Sequence, residues 1–554
     1  MSFKINSLYL TDGYKVGHKA MLAPGTTKLY GTWIPRSTKH APKGITKIVS
    51  FGQQLVWKWL HDEFEENFFF RNQIFDNIGK DTVDNNKLIK EYGYFTENDL
   101  KSYYKKKALQ FVKDMSLYLG MEYNGKHFEE LWDLGYLPIR VKALPEGIET
   151  NPNIPHMTFV NTVDGFAWLT LYLETVVSAL AWKPSTAATI AKLYRRQAEE
   201  WVAKTDNKNM WLVDFMCHDF SARGLDPMSQ YLIGLGHATS FKGSDTLPVI
   251  PAARYFYGVK EDEMPIFSVN ASEHSVSCTK IFTVGEKQML SDWMKIFPKG
   301  ILSVVADTFS LWECIEYFKE LKDEIVARDG KIVCRPDSGD PVDIICGLNS
   351  GNTGLNINTT FEEVSQSHPN YVRDYVKSES EWKGVIELLW DIFGGTINEQ
   401  GYKVLDPHIG AIYGDSITPD RQRQIYERLA AKGFAATNIV LGVGSFTYQY
   451  NTRDTLGWAA KGAWFEVGTQ KMSGISKTAY NIYKDPITDD GTKKSLKGLL
   501  CVIKTGPDSH VNQYMVKEEC TPEWENKGLL QVIYEDGKFY NTTTLEEVRN
   551  RLKQ

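Results

Sequence analysis

The chain has 554 residues, 42% of them apolar and 24% charged, which is too long for one ordinary core and predicts two or three packed domains. Its net charge of −6 excludes the global positive field that nucleic acid or an anionic membrane would need, so an anionic ligand must be held by local arginines and lysines. Seven cysteines without a CxxC pair predict a reduced, cytoplasmic chain with neither a disulfide framework nor a structural zinc.

Taken in chain order, the N-terminus MSFKINSLYLTDGYK has no basic stretch followed by an apolar one, so no signal peptide is expected. Residues up to about 160 mix short strands with amphipathic helices such as 98–119. The longest apolar run, 165–182, carries Glu174 and several Thr and Ser, and reads as a buried helix rather than a membrane span. From about 180 to 455, β-branched runs each end in a polar or Gly-rich cluster and lead into a helical stretch. They are WLVDFMCHDFSARG (211–224), TSFKGSDT (239–246), FSVNASEHS (267–275), ILSVVADT (301–308), KIVCRPDSGDP (331–341), HIGAIYGDSIT (408–418) and TNIVLGVGSFT (437–447). Such alternation predicts a parallel sheet, and six or seven units in succession predict an α/β barrel, distorted or incomplete. The Gly/Asn-rich run 347–360 opens an insertion on the barrel, 347–400, whose remainder is helical in pattern. After 456 come strand-like runs around 498–504 and 529–540. The expected organisation is an N-terminal α+β part (1–175), a barrel (176–455) and a C-terminal segment (456–554) that packs with the N-terminal part.

In a barrel the C-terminal ends of the strands share the functional face. Here they supply Asp219, Phe220, Arg223, Asp245, Glu273, His274, Asp307, Arg335, Asp337, Asp415, Gly442, Gly444 and Ser445. One charged residue after a strand is usually a solvated turn former. Charged or Gly-rich ends on nearly every strand instead concentrate several carboxylates and two arginines on one face. Carboxylates alone would suit a metal cage and arginines alone a bare anion; together they fit a polyphosphate carried with Mg²⁺. GVGSFT (442–447) offers backbone amides to a phosphate monoester. It lacks the third Gly of a dinucleotide fingerprint, and no GxxxxGK[ST] occurs in the chain.

The motifs TDGYKVGHKAMLAPGTTKLYG (11–31), HDFSARG (218–224), FKGSDT (241–246), SVNASEHS (268–275), SVVADT (303–308), RPDSGDP (335–341), YGDSI (413–417) and NTRDTLGWAAKGAW (451–464) together resemble the nicotinamide phosphoribosyltransferases, a branch of the type II phosphoribosyltransferases, in order over nearly the whole chain. The resemblance implies a homodimer with shared active sites that joins nicotinamide to phosphoribosyl pyrophosphate, with Mg²⁺ and with ATP as an activating co-substrate. It implies that Phe220 and the partner's Tyr14 sandwich the pyridine ring, and that Asp245 accepts from the carboxamide NH₂. Arg335 would reach the amide oxygen or the diphosphate, and Arg223 and His274 the diphosphate. Asp337 and Asp415, with the Gly414 backbone, would hold the ribose hydroxyls. Gly444, Ser445 and Arg453 would bind the 5′-phosphate, with Arg36, Lys461 and Lys493 adding charge across the interface. Asp307 is the implied Mg²⁺ ligand, and His274, Asp337, Arg335 and Asp307 the implied catalytic set, His274 as a phospho-acceptor. The chain departs from the family pattern at GVGSF (442–446), where a GSGGG run is usual, and at Gly410, where animal enzymes carry an arginine.

Three rival readings remain at this level. A nicotinate-specific sister enzyme would be disfavoured by Asp245, whose carboxylate repels an acid. A phosphosugar isomerase or aldolase would need a Schiff-base lysine or a base at a strand end. A non-catalytic sensor of nicotinamide or its nucleotide would have no need to keep Arg335, Asp337, Asp307 and His274 together.

Overall fold

A computed structural model describes residues 4–77, 97–351, 354–414, 416–471, 474–484, 487–488, 495–505 and 513–553. Seven parallel strands form one sheet: Cys217–Phe220, Gly243–Ser244, Asn270–Ala271, Lys299–Val305, Asp329–Arg335, Ile409–Tyr413 and Ile439–Gly444. Hydrogen-bonded neighbours follow chain order, and Ile439–Gly444 returns to pair with Cys217–Phe220. The last gap is spanned by a parallel bridge between Gly243 and Phe267. There the Ser244 N–H donates to the Phe267 carbonyl (3.0 Å) and the Phe267 N–H to the Lys242 carbonyl (2.7 Å). The distorted α/β barrel expected from the strand–helix alternation is present, with seven strands among the described residues and a single bridge at the seam.

Local chemistry starts the barrel helices where the strands end. Asp226 accepts from the Met228 and Ser229 N–H groups, Asp340 from those of Val342 and Asp343, and Thr418 from that of Arg421. Each cap is followed by proline at the first helical position, where a missing N–H costs nothing and the fixed φ is already helical. These caps terminate the loops that carry the site.

A second, antiparallel seven-stranded sheet draws on both ends of the chain. Its order is Gly474–Asn481, Ala459–Lys471, Thr26–Ile34, Met157–Asn161, Ile139–Ala143, Gln531–Glu535 and Lys538–Phe539. The 32-residue helix Glu174–Thr205 lies between this sheet and the barrel. It carries Pro184 in its interior, and the proline ring occupies the space above Gly52, where an added Cβ would come within 2.3 Å of it. Gly52 has φ +92°, so a side chain there is excluded twice over. On the barrel side, Gly236 meets the Pro184 carbonyl and Ala187, which lets the helix Pro227–Ala238 approach closely. Trp33 and Trp458 stack at 5.2 Å, and the Trp458 indole N–H donates to Thr186 on the long helix, so sheet and helix share one core.

Three stretches differ from the sequence expectation in detail. The run 98–119 is two helices, Glu97–Ala108 and Gln110–Leu119. The apolar run 165–182 holds one whole helix, Ala167–Tyr172, and the start of the long one. The helical part of the insertion is broken into Phe361–Ser367, Pro369–Tyr371, Val372–Val376, Glu379–Lys383 and Val385–Phe393, with Pro369 and the positive-φ residues Lys377 and Gly384 at the breaks. No described helix is long and apolar enough to cross a membrane.

Candidate active site

His218 and Phe220 alternate along the first barrel strand and share a face, with ring centroids 4.7 Å apart. Asp245 follows the next strand, where its N–H donates to the Asp219 carbonyl. Its Oδ1 accepts from His218 Nε2 at 3.1 Å and from the Ser268 hydroxyl. Partial burial opposes ionisation of Asp245. The His218 bond and charge, the Ser268 bond and the charge of Arg335 outweigh that burial and hold its carboxyl below the usual carboxylate range. Asp219 itself is buried and serves the frame, accepting from the Ser221 N–H and the Ser244 hydroxyl.

Across the mouth, Arg335 donates from Nη2 to the Ser272 carbonyl (2.6 Å), and the Ser272 hydroxyl accepts from the Val305 N–H (2.9 Å). One oxygen of Asp307 accepts from the Asp337 N–H (2.9 Å) and the Ser338 hydroxyl (2.6 Å), which fixes the RPDSGDP turn. The other oxygen, Oδ1, stands 3.8 Å from His274 Nε2, while His274 Nδ1 lies 3.2 Å from the Thr308 hydroxyl. Asp307 Oδ1 and Arg335 Nε are both buried without a hydrogen-bond partner. Orphaned buried polar atoms are costly, and an acceptor and a donor left open on one mouth are what a ligand or an ion would satisfy. Among the described residues no three His, Cys, Asp or Glu side chains cluster as a metal cage. A hard cation here would therefore take Asp307 Oδ1 and draw its other oxygens from substrate, a donor set that suits Mg²⁺.

Glycines bring the remaining loops together. An added Cβ on Gly224 would come within 2.2 Å of Ser445, so the Arg223 loop rests on the Gly444–Ser445 turn. One on Gly442 would come within 2.8 Å of the Phe220 ring, and one on Gly414 within 2.0 Å of Asp337 Oδ1. Phe220, Arg223, Asp245, His274, Asp307, Arg335, Asp337, Gly414, Gly444 and Ser445 are thus all on the C-terminal mouth. Asp415 and Lys493 lie outside the described residues.

The other four expected residues sit on the part built from the chain ends. Arg36 donates from Nε to the Gly457 carbonyl (3.0 Å), Arg453 pairs with Asp454, and Lys461 is opposite Thr32 in the antiparallel sheet. Lys461 titrates below the usual lysine range: burial lowers it, Glu174 opposes, and Arg36, Lys484 and Arg453 lower it further. Mutual repulsion of that kind marks a cluster of like charges, which an anion would relieve. Tyr14 is 66% exposed, flanked by His18 and Lys15.

Sequence reasoning passed over His218, Ser268, Ser272 and Ser338, although all four stand inside motifs already singled out. The period-two alternation of His218 with Phe220 was a usable signal. The serines carried none, because their roles are set by partners far away in the chain.

A barrel mouth served by loops from nearly every strand defines an α/β-barrel protein with a ligand site at the strand ends. Residues 215–537 match the profile described as the Nicotinate phosphoribosyltransferase (NAPRTase) family, and the chain belongs to that family. It is 38% identical over its whole length, and over 98% of the relative, to a protein named nicotinamide phosphoribosyltransferase from Acinetobacter baylyi. A second relative of that name, from Xanthomonas campestris pv. campestris, is 30% identical over 75% of this chain and 79% of its own. Human nicotinic acid phosphoribosyltransferase, a solved structure, aligns at 13% identity and a TM-score of 0.47 over 98% of this chain and 93% of that one.

Proposed function

We propose that this protein is a nicotinamide phosphoribosyltransferase, forming nicotinamide mononucleotide and diphosphate from nicotinamide and phosphoribosyl pyrophosphate. The relatives' names support this activity, and one observation favours the amide over the acid. Asp245 is held ionised beside Phe220 by two hydrogen bonds to a single oxygen. A carboxylate accepts from a carboxamide NH₂ and repels a nicotinate.

The chemistry follows from charge. The lone pair of the pyridine nitrogen forms the new bond to C1 of the ribose as the C1–oxygen bond to diphosphate breaks, through an oxocarbenium-like state. No proton moves, because that nitrogen carries none. Catalysis is then positioning plus electrostatics. Phe220 stacks the base, with Tyr14 of a second subunit opposite. Asp337 stands beside the Gly414 backbone, suited to ribose hydroxyls and to the developing cation. Arg335 and Arg223 face the diphosphate. Ser445, Arg453, Arg36 and Lys461 supply the 5′-phosphate side. Asp307, with its unpartnered Oδ1, would hold Mg²⁺, which when bound would supply positive charge to the leaving diphosphate.

ATP stimulation belongs to the same proposal. His274 is exposed at the first position of the helix His274–Val284, beside Thr308 and Asp307, where its ring can accept a phosphoryl group from ATP with ADP leaving. Replacing His274 by Ala should abolish ATP stimulation and leave slow basal synthesis; undiminished stimulation would refute the assignment. A homodimer is supported by the same helix. Only Ser277 of its 11 residues is buried, while Phe282 and Phe309 form an exposed aromatic pair, 75% and 62% accessible. Seven free cysteines suit a reducing cytoplasm. Incubation with nicotinamide, phosphoribosyl pyrophosphate and Mg²⁺, with and without ATP, tests the reading: mononucleotide and diphosphate should appear in equal amounts, and absence of both would refute it.

A further inference from the structure

We infer that His218 and Ser268 are positioning residues that set base selectivity by locking Asp245 at one oxygen, an inference that rests on the nicotinamide reading above. An ionised carboxylate can only accept, so the His218 Nε2 that faces Asp245 Oδ1 at 3.1 Å must carry its proton. The Ser268 hydroxyl donates to the same oxygen. With Oδ1 occupied on the protein side, Oδ2 is the oxygen left to the carboxamide among the described residues. Nicotinate could be admitted only if Asp245 swung away or took up a proton. Either change breaks or weakens the two bonds to Oδ1, and Arg335 adds positive charge that favours the ionised form.

The device spans the seam at which the barrel closes. His218 lies on Cys217–Phe220, Asp245 follows Gly243–Ser244, and Ser268 follows the Phe267 bridge residue. Gly243 makes the seat for the imidazole, since an added Cβ would come within 2.9 Å of His218 Nδ1. The Gly243 carbonyl is pinned from behind by buried His237, whose Nε2 donates to it at 3.1 Å while the Tyr448 hydroxyl donates to Nδ1 at 2.8 Å. The closing bridge therefore does more than complete the sheet: it brings Ser268 to Asp245.

Steady-state kinetics of the full chain with nicotinamide and with nicotinate test this. His218→Phe should raise the KM for nicotinamide about tenfold or more and lower the preference for nicotinamide by a similar factor, with kcat and the KM for phosphoribosyl pyrophosphate little changed. His218→Gln, whose amide N–H reaches the Nε2 position, should recover most of the loss. Ser268→Ala should move the same two quantities in the same direction, and Gly243→Ala should do so by displacing the ring. These two carry the test if His218→Phe does not fold. Unchanged nicotinamide KM and preference in the folded variants would overturn the inference, as would a joint fall in kcat and both affinities without rescue by Gln. Asp245→Asn separates the two levels. If it removes the preference while the His218 and Ser268 variants do not, only this inference fails; if it leaves the preference intact, selectivity does not run through Asp245 and the inference fails with it. A parent chain that shows no preference for nicotinamide would overturn the nicotinamide reading itself.

Discussion

Asp245 and Asp307 are both carboxylates at strand ends, yet their surroundings give them different work. Asp245 is half-exposed and hydrogen-bonded at one oxygen, while Asp307 is buried with one oxygen fixed to the 337–338 turn and the other open. Asp245→Asn removes the repulsion of an acid and should relax selectivity towards nicotinate, read as the ratio of kcat/KM for the two bases. Its depressed pKa also has a stability consequence. A carboxyl whose folded value lies below its unfolded value contributes stability that is fully present above the ordinary carboxylate range near pH 4 and drains away as the pH falls below it. Thermal unfolding between about pH 5 and pH 3 should therefore show a shallower acid loss in Asp245→Asn than in the parent chain. An identical acid limb would contradict the bonding described. For Asp307, removal of the carboxylate by Asp307→Ala should lower kcat and weaken the dependence of rate on Mg²⁺, measured by titrating the metal.

How far the residue scale was legible depends on range. Charged ends on successive strands were visible as a pattern, because each follows a β-branched run within a few positions. The partners that orient them were not. Ser272 meets Arg335 across 63 residues of sequence and Ser338 meets Asp307 across 31, and serine is too common a turn residue to mark such contacts.

At the scale of elements, sequence read well where local chemistry decides. The cap–proline pairs at 226–227, 340–341 and 418–419 begin helices because side-chain oxygens meet the first free N–H groups. Asp340→Ala should lower stability by about 1 kcal/mol and loosen the turn that carries Asp337, visible in the melting temperature and the ribose-side KM. Reading failed where tertiary packing decides. The buried helix read over 165–182 extends far past that run: Glu174–Thr205 continues through Pro184, a residue that ordinarily breaks a helix, with its ring packed above Gly52. Six or seven barrel units were legible; the closing bridge was not, since a single residue pair leaves no periodicity. At the mouth, Gly224→Ala would drive a methyl into Ser445 and should raise the KM for phosphoribosyl pyrophosphate while leaving the fold intact by circular dichroism.

For the whole molecule, the decisive relation is between the barrel mouth and the basic cluster of Arg36, Arg453 and Lys461 on the part built from the chain ends. A second subunit, docked on the exposed face of helix His274–Val284, would bring them together. Phe282→Asp should then yield a monomer by size exclusion and an inactive one; an active monomer would contradict shared sites. The central claim is that loops from several strands converge into one mouth that selects the amide. Its most direct measurement is a competition assay in which nicotinamide and nicotinate are offered together with phosphoribosyl pyrophosphate and Mg²⁺, and both mononucleotides are quantified. The account predicts the nicotinamide product in large excess. Equal products, or the acid's in excess, would contradict it.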